Sequence, residues 1–214
     1  MEMDGAMPEL PEISDYAAGP APVPAAAVAA VRAALGARPV VLVGMMGAGK
    51  SSIGRRLAST LDVPFIDADT EIEKAAGMPI PEIFESQGEA YFRAGEARVI
   101  ARLLEGGPSV LATGGGAFMN EQTRALVRAR AVSVWLKAEF DVLLRRVRRR
   151  VDRPLLKTSD PAATLARLIE ERYPVYAQAD LTVMSRDVPH DTIVAEIIGA
   201  LTDKLAATTT GTSQ

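Results

Sequence analysis

One stretch limits what this chain can fold into more than any other: Gly44-Met45-Met46-Gly47-Ala48-Gly49-Lys50-Ser51, which fits G-x-x-x-x-G-K-[ST]. It follows an unbroken apolar run, Val40 to Val43, and precedes a segment in which Ile53, Leu57 and Leu61 recur at helical spacing. The sequence therefore reads strand, glycine loop, helix, the context in which this pattern holds phosphate. Glycines let the backbone turn so tightly that successive N–H groups point inward, and the next helix adds its positive end. Gly47, Ala48, Gly49, Lys50, Ser51 and Ser52 form the ATP-binding wall of such a socket. Lys50 reaches the β- and γ-phosphates, and the Ser51 hydroxyl ligates the Mg²⁺ that bridges them. The plainer alternative, a glycine-rich turn carrying an exposed lysine, does not account for the full pattern in register. The motif implies nucleotide binding and leaves the acceptor open.

Four further short runs resemble the first: Pro64 to Asp67, Ser109 to Ala112, Val132 to Leu136 and Leu181 to Met184. Segments of helical period alternate with them, over Thr70–Ala76, Ile80–Gln87, Glu89–Leu104, Glu121–Ala129, Glu139–Arg150, Pro161–Ala177 and Asp191–Leu205. This alternation predicts an α/β fold with a five-stranded parallel sheet flanked by helices. Val-Val-Leu-Val, with no polar interruption, is expected at the centre of the sheet, covered on both faces.

With 214 residues, 48% of them hydrophobic, one domain with tails is expected. Residues 1–37 read as a largely disordered Ala/Pro-rich acidic extension, with a short helix over Val28–Leu35 leading into the domain. The domain is expected over 38–205 and a flexible polar tail over 206–214. The extension is acidic and lacks the features of a targeting peptide. No apolar run is long enough to span a bilayer, so no membrane partner is expected. A net charge of −3 disfavours nucleic acid as a partner. The absence of cysteine rules out disulfides and thiol chemistry and fits a cytoplasmic setting. A monomer is expected.

The second run ends in Phe65-Ile66-Asp67-Ala68-Asp69. Two carboxylates two residues apart on an extended chain face the same side, roughly 6 to 7 Å apart. At the carboxyl end of a strand they can hold Mg²⁺ or accept the proton of an attacking hydroxyl. Alternatively, Asp69 caps a helix that starts at Thr70. Both readings stand at this point.

Further along come Phe92-Arg93-x-x-Glu96, Gly114-Gly115-Gly116, Arg153-Pro154-Leu155-Leu156 and Arg172-Tyr173-Pro174-Val175-Tyr176. Together with the glycine loop and the acidic pair, these motifs make the chain from about residue 38 to 204 resemble the shikimate kinases, in order and near spacing. The resemblance implies a nucleoside monophosphate kinase-like P-loop fold with a mobile lid. It implies transfer of the ATP γ-phosphoryl to the 3-hydroxyl of shikimate, with Mg²⁺, in chorismate and aromatic amino-acid biosynthesis. It also implies residue roles. Asp69 would bind the shikimate hydroxyls, Asp67 would lie by the metal with Ser51, and Arg93 and Arg172 would grip the carboxylate, to which Gly115 offers its N–H. Arg153 would be the lid arginine over ATP, and Arg146 would lie near adenine. The catalytic group would then be Lys50, Asp69 and Arg153. Guanidinium forks suit a carboxylate, and glycines let backbone approach a ring-shaped substrate. Glu96, one turn after Arg93, is expected to orient it. His190, the one histidine, is expected at the start of the last helix rather than in catalysis. Near the fifth strand, Ser185-Arg186-Asp187-Val188-Pro189 offers no recognisable adenine contact. The rival readings are a gluconate kinase or another small-molecule P-loop kinase and, from a different class, a nucleotide-responsive module without turnover.

Overall fold

The computed structural model describes residues 23–149 and 160–210. Outside it lie Arg153 with the rest of the expected lid motif, residues 1–22 of the acidic extension and the last four residues.

The described chain alternates as its sequence periods require: α1 (Ala25–Leu35), β1 (Val40–Val43), α2 (Lys50–Leu61), β2 (Phe65–Asp67), α3 (Ala68–Ala76), α4 (Ile80–Leu103), β3 (Val110–Ala112), α5 (Glu121–Arg130), β4 (Val132–Lys137), α6 (Phe140–Arg148), α7 (Pro161–Tyr176), β5 (Leu181–Met184) and α8 (His190–Thr210). A 3-10 turn, Ala117–Met119, links β3 to α5. The strands form one sheet in the order β2-β3-β1-β4-β5, with every pairing parallel. Val41 pairs with Leu111 on one side and Ser133 on the other, so β1 is central, and all four of its residues are buried. Because every strand runs the same way, the segments after β1, β2 and β3 come out on one rim, where ligands of open α/β sheets bind.

The main core fills both faces of the sheet, with Leu42, Leu57, Leu111, Leu136, Leu143 and Ile197 among its buried members. A second, small cluster of Ile72, Ile83, Phe92 and Val99 lies between α3 and α4. The α3–α4 pair that carries the expected acceptor residues thus has an apolar support of its own.

Several boundaries differ from the sequence reading. At Gly88 the φ of 81° and ψ of 170° interrupt α4, which is the expected division between two helices expressed as a kink. The first helix starts at Ala25 rather than Val28, and Val31 and Leu35 are buried in the main core. Packing of α1 on α8 and α2 thus starts ahead of residue 38. At the other end α8 continues to Thr210, past the tail boundary drawn at 206. Ala206 and Ala207 favour helix enough to carry it on.

Candidate active site

After β1 the chain enters the glycine loop, where Gly47 and Gly49 have φ of 83° and 90°, a region open to glycine and strained for other residues. α2 then starts at Lys50, so its N-terminal N–H groups face the loop. Lys50 Nζ donates to the carbonyls of Gly44 at 2.7 Å and Met45 at 3.0 Å. Its ammonium thus lies inside the curve of the loop, where the outer phosphates of a nucleotide come to rest.

The acidic pair is built differently from two residues on one strand. Asp67 ends β2 and is the N-cap of α3, its Oδ1 accepting from the Asp69 N–H at 3.2 Å. Asp69 lies in the first turn of α3, so the reading in which Asp69 caps a helix from Thr70 is corrected: the cap is Asp67. The sequence reading missed this because Ala68 joins the helix and shifts its start by two residues. The other oxygen of Asp67 accepts from Ser51 Oγ at 3.0 Å. A hydroxyl and a carboxylate at this distance are the hard oxygens Mg²⁺ takes, and among the described residues no cluster of three or more His, Cys, Asp or Glu could hold a metal alone. That donor set fits an ion that uses one or two protein oxygens and completes its shell with phosphates and water.

Asp69 faces the loop after β3. A methyl group at Gly114 would stand 2.8 Å from Asp69 Oδ1 and 3.0 Å from Glu96 Oε1. The Asp69 carboxyl is raised above its ordinary pKa, first by burial and then by the charge of Asp67, with Lys50 pulling the other way. Although protein crowds this carboxylate from most directions, the residue is exposed to solvent. Water access therefore makes the shift a statement about basicity more than about stability.

Arg93 and Arg172 close the other sides. Arg93 Nη1 donates to Glu96 Oε2 at 2.7 Å, the expected i,i+3 pair, and Glu89 adds a second partner at 3.3 Å. An ion pair alone would lower the Glu96 pKa and raise that of Arg93. Burial opposes both effects, and it prevails only on Glu96, which is 3% exposed and raised. At Gly116 a methyl group would stand 2.5 Å from Arg93 Nη1, so only glycine lets the guanidinium lie against the backbone there. Arg172, on α7 and 7% exposed, brings Nη1 to 3.4 Å from where a Gly115 methyl would be. Its Nε is buried and has no hydrogen-bond partner among the described residues. Each glycine of the triplet is therefore flanked by one expected acceptor residue: Gly114 by Asp69, Gly115 by Arg172, Gly116 by Arg93.

On the nucleotide side Arg146 of α6 donates to Gly47 O at 3.3 Å, Ser185 Oγ at 2.8 Å and Arg186 O at 2.7 Å, and pairs with Asp187 at 3.0 Å. It straps the glycine loop to the segment after β5. Ser185 and Asp187, whose place the sequence left open, are its partners. His190 begins α8 as expected, and burial and then the nearby Arg56 and Arg146 lower its pKa. The sequence also missed the hydroxyl of Tyr176, which donates to the Gly115 carbonyl.

Among the described residues this rim gathers backbone N–H groups, guanidiniums, an ammonium and carboxylates, the kind of set with which a protein positions small molecules and offsets charge in phosphoryl transfer. Fold and site thus define a P-loop kinase of the nucleoside monophosphate kinase type. A sequence model described as Shikimate kinase matches residues 46–202. A shikimate kinase of Rhodopseudomonas palustris is 64% identical over 202 residues, covering 94% of this chain and 98% of the relative. Among solved structures, a shikimate kinase from Acinetobacter baumannii in complex with shikimate is 34% identical with a TM-score of 0.74, covering 86% of this chain and 99% of that one. A gluconokinase from Sinorhizobium meliloti shares the fold at 22% identity and a TM-score of 0.58, over 83% of this chain and 98% of its own. The chain belongs to the shikimate kinase family.

Proposed function

We propose that this chain transfers the γ-phosphoryl group of ATP to the 3-hydroxyl of shikimate, giving shikimate 3-phosphate and ADP for chorismate and aromatic amino-acid biosynthesis. The observation that carries the assignment is the convergence of Asp69, Arg172 and Arg93 on the three successive glycines beside the phosphate loop. Shikimate offers one carboxylate and a set of ring hydroxyls. Two guanidiniums and the Gly115 N–H match the carboxylate, and a carboxylate with a raised pKa matches the hydroxyls.

Asp69 orients the acceptor hydroxyl and takes up its proton as the new P–O bond forms. Lys50, inside the loop, balances the charge on the outer phosphates. Gly47, Ala48, Gly49, Ser51 and Ser52 hold the remaining phosphate oxygens through backbone N–H groups, and Arg146 fixes the loop from the nucleotide side. Ser51 and Asp67 would hold Mg²⁺, whose chemistry would be to offset the negative charge of the outer phosphates. Arg153, outside the described residues, is assigned to the lid by its place before Pro154-Leu155-Leu156. The same reading makes the chain a monomeric cytoplasmic enzyme without nucleic-acid or membrane partners, in keeping with its net charge of −3. Among the described residues no helix is long and apolar enough to cross a membrane.

The test is a coupled ADP-release assay with shikimate, gluconate, nucleoside monophosphates and no acceptor. ADP release that depends on shikimate supports the assignment. Faster turnover of gluconate or a nucleoside monophosphate would replace it, and ADP release indifferent to every acceptor would leave only a nucleotide hydrolase.

A further inference from the structure

Tyr176 is fully buried near the end of α7, one turn beyond Arg172. Its ring lies 6.1 Å from that of Trp135 on β4, and its hydroxyl points away from this packing toward the rim. There it donates to the Gly115 carbonyl and stands 3.9 Å from Met45 Sδ. Met45 belongs to the phosphate loop, and Gly115 to the loop that faces the acceptor. A methyl at Gly115 would lie 3.8 Å from both Gly44 O and Met46 N, so these two loops meet at this point. Burial holds the phenol neutral, with its pKa pushed up to about 12 against the pull of Arg172, so it remains a hydrogen-bond donor across the working pH range.

Packing alone would be served by a phenylalanine, whereas the hydroxyl fixes the peptide plane beyond Gly115 against the phosphate loop. Phosphoryl transfer requires the acceptor oxygen and the γ-phosphorus in line, and small misplacements of one half of a site against the other are costly. We propose that Tyr176 is a positioning residue, whose bond to Gly115 sets the acceptor side of the site against the phosphate loop. This rests on the acceptor reading given above.

The comparison that tests it uses Tyr176→Phe and Tyr173→Phe in the full chain. Tyr173, on the same helix, donates to the Ala138 carbonyl after β4 and not to a glycine of the triplet, so it controls for the loss of a similar bond. Steady-state kinetics with both substrates varied, calorimetric binding of ADP and melting temperature are measured on both variants. Tyr176→Phe is expected to raise KM for shikimate about 3- to 10-fold, the worth of one hydrogen bond, and to lower kcat, while ADP affinity stays at the wild-type value. Tyr173→Phe should lose melting temperature without that split. Three results would overturn the proposal: unchanged shikimate kinetics in Tyr176→Phe, a parallel weakening of both substrates, or failure of Tyr176→Phe to fold, which would assign the hydroxyl to the core. Absence of shikimate turnover in the wild type would instead remove the acceptor reading itself.

Discussion

At the scale of single residues, the structure separates two aspartates that the sequence could not. Read from the residues alone, both could hold Mg²⁺ or take a proton and Asp69 could instead cap a helix from Thr70, because the choice depends on which residue first enters the helix. With Asp67 as the cap and as partner of Ser51, Asp69 turns to Gly114 of the glycine triplet, the side on which the proposed acceptor binds. Asp69→Asn is therefore expected to lower kcat by roughly 10² to 10⁴, the range of a positioned acid or base, with ADP affinity retained. The sign of its pH linkage follows from burial and Asp67, which raise the folded-state pKa above 3.8. A raised carboxyl stabilises the fold below the unfolded pKa, and that contribution is lost as pH rises through the folded pKa. At pH 7 the asparagine variant should thus melt no lower than wild type, and the two should converge at acid pH. In the wild type the acid limb of kcat/KM for shikimate should lie above the usual carboxylate range. Full activity in Asp69→Asn, or a marked loss of its melting temperature at pH 7, would contradict the role given to this residue.

At the scale of elements, the strands were legible because uninterrupted β-branched runs and glycine loops are local signals. Val40–Val43 and Leu181–Met184 stand where their residues placed them, and α4 breaks at the Gly88 that separated two helical periods. What the sequence could not show is which side chains meet across elements. Three adjacent glycines signal close approach, but only the fold shows that Asp69, Arg172 and Arg93 approach them from α3, α7 and α4. The extent of α1 was hidden for the same reason, since an Ala-rich helix shows a buried face only when the surface it docks on is known. The triplet makes a prediction. Gly116→Ala would place a methyl group 2.5 Å from Arg93 Nη1. Glu96 and Glu89 hold that guanidinium, so it must leave its place or its partners. KM for shikimate should rise about tenfold or more, in line with the loss of a charge-assisted hydrogen bond, while KM for ATP changes little. An equal rise for ATP would place Arg93 on the nucleotide side.

At the scale of the whole molecule, a central strand buried on both faces anchors the phosphate loop, its neighbour β3 delivers the glycine triplet, and β2 on the far side of β3 delivers the acidic pair to the same rim. The main core thus carries the phosphate loop, while α3 and α4, which bear Asp69 and Arg93, rest on the small cluster of Ile72, Ile83, Phe92 and Val99. That division suits an enzyme whose catalysis consists of bringing two small molecules into register. It also makes one outcome decisive: which hydroxyl receives the phosphoryl group. The reaction of the full chain with ATP, Mg²⁺ and shikimate is to be followed by phosphorus and proton NMR. A single new phosphomonoester, coupled to the proton on carbon 3 of the ring and formed in step with ADP, is the result expected. A phosphoester at another hydroxyl, or inorganic phosphate in place of a sugar-like ester, would contradict it.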